Sequence, residues 1–130
     1  MTARQPYVTI DNAYMWEGVA AGELRVQRCK SCGRLRHPSR PMCAQCQSLD
    51  WEPFVCSGQG AIYSYVVFHH PQLEGYEVPY IVAVIELKEG VRMVSNVVGL
   101  SAADVFIGME VRVAFEDVGG SVVLPVFRPI

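Results

Sequence analysis

Four of the five cysteines in the chain form two Cys-x-x-Cys pairs that lie ten residues apart. The four are Cys29, Cys32, Cys43 and Cys46. Each pair presents two thiolates from one turn of the backbone, and two such turns close a tetrahedral zinc site. The segment between Cys29 and Cys46 has little hydrophobic periodicity and cannot build a core of its own. A bound metal or another cross-link must therefore stabilise its fold. The sequence therefore predicts a structural zinc with four thiolate ligands and no open coordination position.

Other roles for these cysteines are less favoured. A redox pair of the thioredoxin kind would lie in a βαβ context, which the sequence lacks. Iron accepts the same four thiolates and stays an open alternative. The odd cysteine count and the lack of an apolar signal segment favour a reducing, cytoplasmic location over disulfides. The fifth cysteine, Cys56, has no basic neighbour in VCSG and is predicted to be buried as a small apolar residue.

Three regions can be delimited along the chain. Residues 1–23 are predicted to form an extended arm and a helix through AYMWEGVAAGE, with Asp11 or Asn12 as its cap and Gly22 as its stop. Residues 24–57 form the zinc ribbon, because the strand patterns LRVQR and WEPFV flank the cysteines. The break SGQG then separates the ribbon from residues 58–130.

The last region is almost entirely strand-like. Five segments are rich in β-branched and aromatic residues: AIYSYVVF, YIVAVIEL, VRMVSNVV, VRVAFED and SVVLPVF. The segment SAADVFIG between the third and fourth reads as a short helical insert that begins at Ser101. Pro125 indicates an edge strand. This pattern predicts a mainly β chain that ends in a five-stranded barrel of the OB type, with a five-stranded sandwich as the competing fold. No apolar run of about 18 residues predicts a membrane span.

Charge is divided unevenly between the two halves. Six of the eleven lysines and arginines lie between Glu23 and Asp50, where there is no acidic residue. They are Arg25, Arg28, Lys30, Arg34, Arg36 and Arg40. Arg28 and Lys30 can offset the net negative charge of a zinc held by four thiolates. The excess could hold a phosphate-bearing ligand, a nucleic acid or an acidic protein surface.

Nucleic acid is the disfavoured partner. From Trp51 onward the chain has four basic residues against nine acidic ones, which opposes a phosphate backbone on the barrel. Tyr63 and Tyr65, predicted on one face of a strand, are the only feature there that resembles a stacking platform.

No group of residues assembles into a catalytic site, and we assign no catalytic or cofactor-binding residue. His69 and His70 are adjacent on an extended segment and point opposite ways. No serine lies in a nucleophile motif, and no glycine-rich loop could cradle a phosphate. His37 is surplus to the four thiolates and is predicted to be a surface residue.

The whole pattern resembles a bacterial and archaeal family of small proteins in which a rubredoxin-like zinc ribbon precedes an OB fold, long catalogued as a domain of unknown function. The resemblance runs from about Tyr14 to the C-terminus. The matching segments are WEGVAAGELRVQRC, CKSCGRLRHPSRPMCAQC, LDWEPFVCSGQGAIYSYVVFHHP, PYIVAVIELKEGVRMVSNVVG, IGMEVRVAFED and LPVFRP.

The resemblance implies an acyl-CoA-associated accessory subunit. Members of the family pair with thiolase-fold enzymes, including lipid-transfer-protein-type thiolases and aldolases, and some are fused behind a hot-dog-fold enoyl-CoA hydratase. A hydratase tail of this kind, from steroid side-chain degradation, associates with an aldolase that releases propionyl-CoA by retro-aldol cleavage. The implied assembly is a heterotetramer in which catalysis resides in the partner. Tyr14, Trp16 and Phe68 are candidate contacts with that partner, or core residues.

Two further functions remain as alternatives. One is a freestanding protein that binds CoA or acyl-CoA, and the other is a ribbon and OB module that binds single-stranded nucleic acid. An independent enzyme ranks last, because no catalytic group is assembled.

Overall fold

A computed structural model describes residues 6–72, 77–119 and 122–130. The chain begins with one helix, continues through a three-stranded sheet and ends in a five-stranded closed barrel. The elements are α1 (Ala13–Ala20), β1 (Leu24–Cys29), β2 (Leu35–Arg36), β3 (Trp51–Cys56), β4 (Gln59–Phe68), β5 (Tyr80–Leu87), β6 (Arg92–Val97), β7 (Glu110–Gly119) and β8 (Val122–Pro129). The predicted mainly β fold is confirmed. The N-terminal arm, the loop between β4 and β5, and the last predicted turn lie partly outside the described residues.

Helix α1 is eight residues long, and the residues that flank it mark its two ends. Asn12 occupies the cap position, but its side-chain oxygen accepts a hydrogen bond from the Thr9 N–H (2.7 Å) and caps no helical N–H. At the other end Gly22 adopts a left-handed φ of +79°, which glycine reaches without steric cost. Within the described residues no helix is long and apolar enough to span a membrane.

The first sheet has the order β2-β1-β3 and is antiparallel throughout. The pairing of Leu24 with Cys56 and of Cys29 with Trp51 fixes its register. Because β1 ends at Cys29, the pairing carries the first cysteine turn to one end of the sheet. This is the predicted zinc-ribbon arrangement.

The barrel closes in the order β4-β5-β6-β8-β7, and β7 returns to pair with β4. Most neighbours are antiparallel, and the contact of β6 with β8 is a single parallel pair, Val97 with Phe127. Strand β5 alternates buried and half-exposed residues, as a barrel strand with one face inward should. The structure is therefore the predicted barrel and not the competing sandwich.

One hydrophobic core joins the ribbon to the barrel. Leu24, Val26 and Cys56 of the first sheet belong to the same buried cluster as Ile85 and Phe127 of the barrel. Burial of these side chains stabilises the packing of the two parts against each other, at roughly 25 cal/mol per Å² of apolar surface. A boundary at residues 57–58 stays a prediction, since the core continues across it.

The tyrosine pair predicted on one face of β4 is split. Pairing with β5 shifts register between Ile62 and Ser64, so Tyr63 is the extra residue of a β-bulge. Tyr63 is half exposed, whereas Tyr65 pairs with buried Ala83 and packs against the core. The expected stacking platform is wrong, because the bulge changes the alternation of side chains along β4.

The predicted helical insert is also wrong. Residues 101–108 form turns, and none of them belongs to a helix. The Ser101 hydroxyl accepts from the Ala103 N–H (3.3 Å), whereas the Asp104 N–H donates to the Ser101 carbonyl (2.9 Å). A capping box would need the Asp104 N–H on that hydroxyl. Local side-chain to backbone bonding of this kind competes with a helix.

Pro125 does not mark an edge strand. Strand β8 lies between β6 and β7 in the closed barrel, and Pro125 pairs with Phe115 of β7. Proline is tolerated there because β8 pairs with β6 only at Phe127. On that side the Pro125 carbonyl accepts a hydrogen bond from the Ser95 hydroxyl of β6 (2.9 Å).

Candidate metal centre and the basic cleft beside it

The two cysteine turns have the same backbone geometry. The Gly33 N–H donates to the Cys29 carbonyl and the Gln47 N–H donates to the Cys43 carbonyl, both at 2.9 Å. Gly33 and Gln47 each have a left-handed φ, of +77° and +64°. Glycine is the residue type that suits this conformation, so Gly33 marks its turn in the sequence. At Gln47 the residue type does not indicate a left-handed backbone conformation.

The four predicted ligands converge. All four Sγ atoms of Cys29, Cys32, Cys43 and Cys46 lie within 4.8 Å of one another. Two Sγ pairs are closer, Cys29 to Cys46 at 3.5 Å and Cys32 to Cys43 at 3.7 Å. A tetrahedral zinc with bonds of about 2.3 Å needs sulfurs about 3.8 Å apart. The cluster therefore fits one structural zinc ion, and the role of each cysteine as a ligand is a proposal that metal analysis tests.

Backbone N–H groups favour the thiolate form of two of these sulfurs. The backbone N–H of Cys32 lowers the pKa of the Cys29 thiol, and that of Cys46 lowers the pKa of Cys43 to about 6. The Ser48 N–H acts on Cys46 in the same direction, but the neighbouring cysteines outweigh it and raise the pKa of Cys46 to about 11. Four thiolates therefore repel one another unless a cation lies between them, and a divalent metal supplies that charge.

Two of the six clustered cations have carboxylate partners among the described residues. The Arg25 guanidinium donates to Glu23 at 2.6 Å. Arg28 forms an ion pair with Glu52 and lies over the Phe54 ring. Glu52 therefore balances the charge of Arg28, and a role of Arg28 in offsetting the zinc thiolates stays a prediction.

Three other arginines of the cluster line a cleft between the ribbon and the barrel. The cleft has a volume of about 400 Å³ and lies between residues 34–45 and the turn that joins β5 to β6. Its lining residues are Arg34, Leu35, Arg36, His37, Arg40, Cys43, Ala44, Gln45, Gly90, Val91 and Arg92. None of these described lining residues is acidic and four are arginines, so the cleft is electropositive.

A buried hydrogen-bond network holds the ribbon side of this cleft. The Gln27 side-chain oxygen accepts from the Arg36 Nε and from the Arg40 backbone N–H, both at 2.8 Å. The Arg36 Nη2 donates in turn to the Arg40 carbonyl at 2.9 Å. Gln27 and Arg36 are both buried, although LRVQR gives no sign that its glutamine is. Arg36 of β2 and Arg40 of the following loop, nine and thirteen positions further on, bond to it, and no local sequence pattern indicates these contacts.

His37 is placed differently from its prediction. It is half-buried, and its Nδ1 is inaccessible to water and has no hydrogen-bond partner. Burial lowers the pKa of its imidazole. It does not belong to the cysteine cluster, so the expectation that it is no ligand agrees with the geometry, whereas the expectation of a surface position is wrong.

The candidate contact aromatics differ in exposure. Tyr14 is buried, with its ring 4.8 Å from that of Trp51 and its hydroxyl 2.9 Å from the Ser39 hydroxyl. Trp16 is half-buried, and its Nε1 has no partner. Phe68 is half-buried and stacks on Tyr80. Tyr14 is therefore a packing residue of the helix, whereas Trp16 and Phe68 keep some surface.

The remaining reactive side chains stay apart. Cys56 is buried as predicted, and burial, with Glu89 nearby, raises the pKa of its thiol to about 12. His69 and His70 are exposed. The metal cluster is the only group of three or more potential ligands found among the described residues.

Comparison with known proteins places both parts of the fold in one family. Residues 16–52 match the family described as "ChsH2, rubredoxin-like zinc ribbon domain", and residues 55–116 match "ChsH2, C-terminal OB-fold domain". The predicted zinc and OB barrel are thus confirmed by the family as well as by the geometry. These two matches leave the ends of the chain unassigned.

Two curated relatives are similar over most of the chain. A probable enoyl-CoA hydratase alpha subunit of Thermomonospora curvata is 42% identical over 96% of this chain and 39% of its own length. The 3-oxo-4,17-pregnadiene-20-carboxyl-CoA hydratase alpha subunit of Mycobacterium tuberculosis is 43% identical over 87% of this chain and 36% of its own. The chain thus spans less than half the length of either relative.

A solved structure matches more completely. One chain of the Ltp2-ChsH2(DUF35) aldolase superposes with a TM-score of 0.92 at 42% identity, covering 96% of this chain and 98% of that one. Similarity at this level extends over the ribbon, the helix and the barrel together. The chain therefore belongs to the ChsH2 family of proteins that join a rubredoxin-like zinc ribbon to an OB fold.

Proposed function

We propose that this chain is a non-catalytic accessory subunit, or scaffold domain, of a thiolase-fold acyl-CoA aldolase. The observation that carries the proposal is the match to the Ltp2-ChsH2(DUF35) aldolase over nearly the whole length of both chains. The reaction is a retro-aldol cleavage of a steroid or lipid side-chain acyl-CoA. The steroid substrate named for the Mycobacterium tuberculosis relative supports that choice of substrate class.

The site chemistry supports a non-catalytic role. The four cysteine sulfurs would fill the coordination sphere of a zinc, which leaves no position for a substrate or an activated water. Cys56 is buried, and its raised pKa keeps it a protonated thiol near neutral pH. We therefore assign the catalytic groups to the partner, and to this chain the shaping of the complex.

The surface offers apolar side chains for docking. Tyr7 and Ile10 on the N-terminal arm are 85% and 94% exposed, and Phe106 and Ile107 of the turn region are more than half exposed. Large apolar side chains that remain in water are typical of protein interaction sites. We assign the arm to the partner interface, in a heterotetramer of two accessory and two thiolase-fold subunits.

A test combines assembly with activity. The chain is co-expressed with a thiolase-fold subunit from its source organism, and the purified material is analysed by multi-angle light scattering and by propionyl-CoA release. We expect a stoichiometric complex and loss of most aldolase activity when this chain is omitted. A thiolase-fold subunit that is fully active alone, and that does not bind this chain, would refute the proposal.

Matched variants address the arm. Ile10→Asp places a charge on the arm, whereas Leu49→Asp places one on an exposed residue of the ribbon. We expect only Ile10→Asp to weaken assembly, because only the arm is assigned to the interface. If both variants weaken assembly equally, the effect is not specific to the arm, and the assignment of the arm to the interface fails. The accessory role is then tested by the assay in which this chain is omitted.

A further inference from the structure

The basic cleft contains a buried guanidinium that lacks one of its partners. Arg36 lines the cleft and is only 9% exposed. Its Nε is bound to Gln27 and its Nη2 to the Arg40 carbonyl, but its Nη1 is buried and has no hydrogen-bond partner. A buried guanidinium with an unpaired donor and no carboxylate partner costs free energy, and an anion in the cleft that Arg36 lines would offset its charge. The other two bonds already fix the orientation of the guanidinium.

Other groups near Arg36 also lack a hydrogen-bond or ion-pair partner. His37 also lines the cleft, and its buried Nδ1 has no partner either. Arg34 and Arg40 are exposed, and neither side chain forms an ion pair with a described residue. Arg92, across the cleft, is bound to Glu86 and rests on the Tyr63 ring, so its charge is partly balanced. Arg34, Arg36 and Arg40 therefore surround one cavity, and none of them has a carboxylate partner in the described part of the chain.

The zinc thiolates alone do not account for this arrangement. Cys43 is the only metal-site cysteine in the wall of the cleft. Exposed cations would be enough to balance the charge of the zinc thiolates at long range. That role does not require Arg36 to be buried with one N–H edge unpaired. The arrangement instead has the features of a site for an anion, in which one fixed guanidinium and two exposed ones surround a cavity.

The chemistry and the size of the cleft indicate the ligand. The planar fork of arginine matches the oxygens of a phosphate, and several guanidiniums together suit a group with two or more negative charges. A volume of about 400 Å³ exceeds the size of phosphate alone and lies within the range of small-molecule sites. Leu35, Ala44 and Val91 supply apolar wall for an organic body.

We propose that the cleft between the ribbon and the β5–β6 turn binds a phosphate ester, with the phosphate held by Arg34, Arg36 and Arg40 and the organic part against Leu35 and Val91. This site belongs to the chain itself and does not rest on the proposed accessory function, so it is tested without a partner subunit.

The first experiment titrates pyrophosphate into the zinc-loaded full chain by isothermal calorimetry at low salt. We expect saturable binding with one site per chain, weakened as salt is added because exposed charges contribute. Absence of saturation up to about 10 mM pyrophosphate, equivalent to a very weak site, would overturn the proposal.

Variants locate the site. The double variant Arg34→Gln, Arg40→Gln removes two exposed guanidiniums while the backbone groups of Arg40 that bind Gln27 and Arg36 remain. We expect at least about tenfold weaker binding, which corresponds to about 1.4 kcal/mol. Arg112→Gln, an exposed arginine of β7 that does not line the cleft, is the matched control and should bind as the wild type does. If Arg112→Gln weakens binding as much as the double variant, the attraction is general to the surface and the site assignment fails.

A second titration tests the organic part of the ligand. ADP and coenzyme A both carry a diphosphate on an organic body, and the apolar walls should make at least one of them bind more tightly than pyrophosphate. If both bind no more tightly than pyrophosphate, the ester assignment is overturned. Retained zinc and an unchanged tryptophan emission in each variant exclude unfolding as the cause of a weaker signal.

Discussion

Gln47 adopts at the second cysteine turn the left-handed backbone conformation that Gly33 adopts at the first. Each residue follows the second cysteine of its pair, and each N–H donates to the carbonyl of the first cysteine at 2.9 Å. The left-handed conformation is nearly free for glycine but costs a residue with a Cβ roughly 1–2 kcal/mol. The two halves of the metal site are therefore alike in geometry and unequal in strain.

Replacing Gln47 with glycine should stabilise the zinc-loaded protein. We expect Gln47→Gly to raise the free energy of unfolding by about 0.5–1 kcal/mol, because relief of strain exceeds the entropy that glycine adds to the unfolded chain. The reverse change, Gly33→Ala, should lower it by about 1 kcal/mol. At Gly33 an added Cβ meets nothing within 4 Å, so backbone strain alone acts there. Urea denaturation measures both, and a destabilised Gln47→Gly would contradict the argument.

Removal of zinc should unfold the ribbon. Structural zinc sites bind with apparent free energies of about 10–16 kcal/mol, much of which is folding free energy. Both tryptophans of the chain, Trp16 and Trp51, lie outside the barrel, so their fluorescence reports on the helix and the ribbon. A chelator, or Cys32→Ser, should shift their emission to the red, and added zinc should reverse the effect of the chelator.

Elemental analysis of the purified protein completes the zinc test. We expect one zinc per chain, and about one iron per chain instead would favour the alternative metal. Emission that stays unchanged when the metal is removed would show that the cysteine cluster does not hold the ribbon together.

Loss of the buried glutamine should be costly. Gln27→Leu would leave the Arg36 Nε and the Arg40 N–H without their common acceptor. Each of the two unsatisfied buried donors costs about 1–3 kcal/mol, so we expect a total of about 2–6 kcal/mol by chemical denaturation. Gln45→Leu, at an exposed position, is the matched control and should change stability by less than about 0.5 kcal/mol. Similar losses in both variants would argue against the network.

Gly60 is required where the barrel closes. It pairs with Leu87 of β5 on one side and with Val111 of β7 on the other, and an added Cβ would lie 2.4 Å from the Glu86 carbonyl oxygen. Because that neighbour is backbone, we expect Gly60→Ala to destabilise the protein by about 1–3 kcal/mol or more.

Gly18 provides a contrast to Gly60. A Cβ at Gly18 would meet the flexible Arg25 side chain, and alanine favours a helix by about 1 kcal/mol. Gly18→Ala should therefore be close to neutral in a thermal melt. A Gly60→Ala variant as stable as Gly18→Ala would show that the strands adjust more easily than the close approach implies.

Cys56 should resist thiol reagents in the folded protein. Burial, reinforced by Glu89, raises the pKa of its thiol to about 12, so almost no thiolate is present at pH 8. We expect no alkylation of Cys56 by iodoacetamide at pH 8 and rapid alkylation in denaturant, measured by mass spectrometry of peptides. Because the folded-state pKa lies above that of a free thiol, the stability from the buried thiol is complete below about pH 9 and falls as the pH rises further. Alkylation in the folded state at the rate seen in denaturant would contradict the burial.

Sequence was sufficient for features that depend on near neighbours in the chain. The spacing of Cys29, Cys32, Cys43 and Cys46 predicted the metal cluster, because each pair needs only its own turn. Segments rich in β-branched and aromatic residues predicted the five strands of the barrel, and Gly22 predicted the end of α1. The resemblance of the whole pattern to a known family added the zinc ribbon and the OB fold as a connected unit.

Features that depend on distant contacts had no sequence signal. The bulge at Tyr63 comes from pairing with β5, and it moved the tyrosine off the face that simple alternation predicts. Pro125 lies inside a closed barrel because β8 pairs with β6 at one position, which no property of SVVLPVF reveals.

The sequence by itself determined the metal cluster, the strand-rich barrel and the concentration of positive charge in the ribbon. Only the tertiary structure decided which cations are balanced: it pairs Arg28 with Glu52, 24 residues away, and leaves Arg36 bound to Gln27 with one nitrogen unpaired. The reason is physical. A cysteine turn is fixed by bonds within about five residues, whereas burial and charge balance depend on which strands pack together, and that is set by the whole chain.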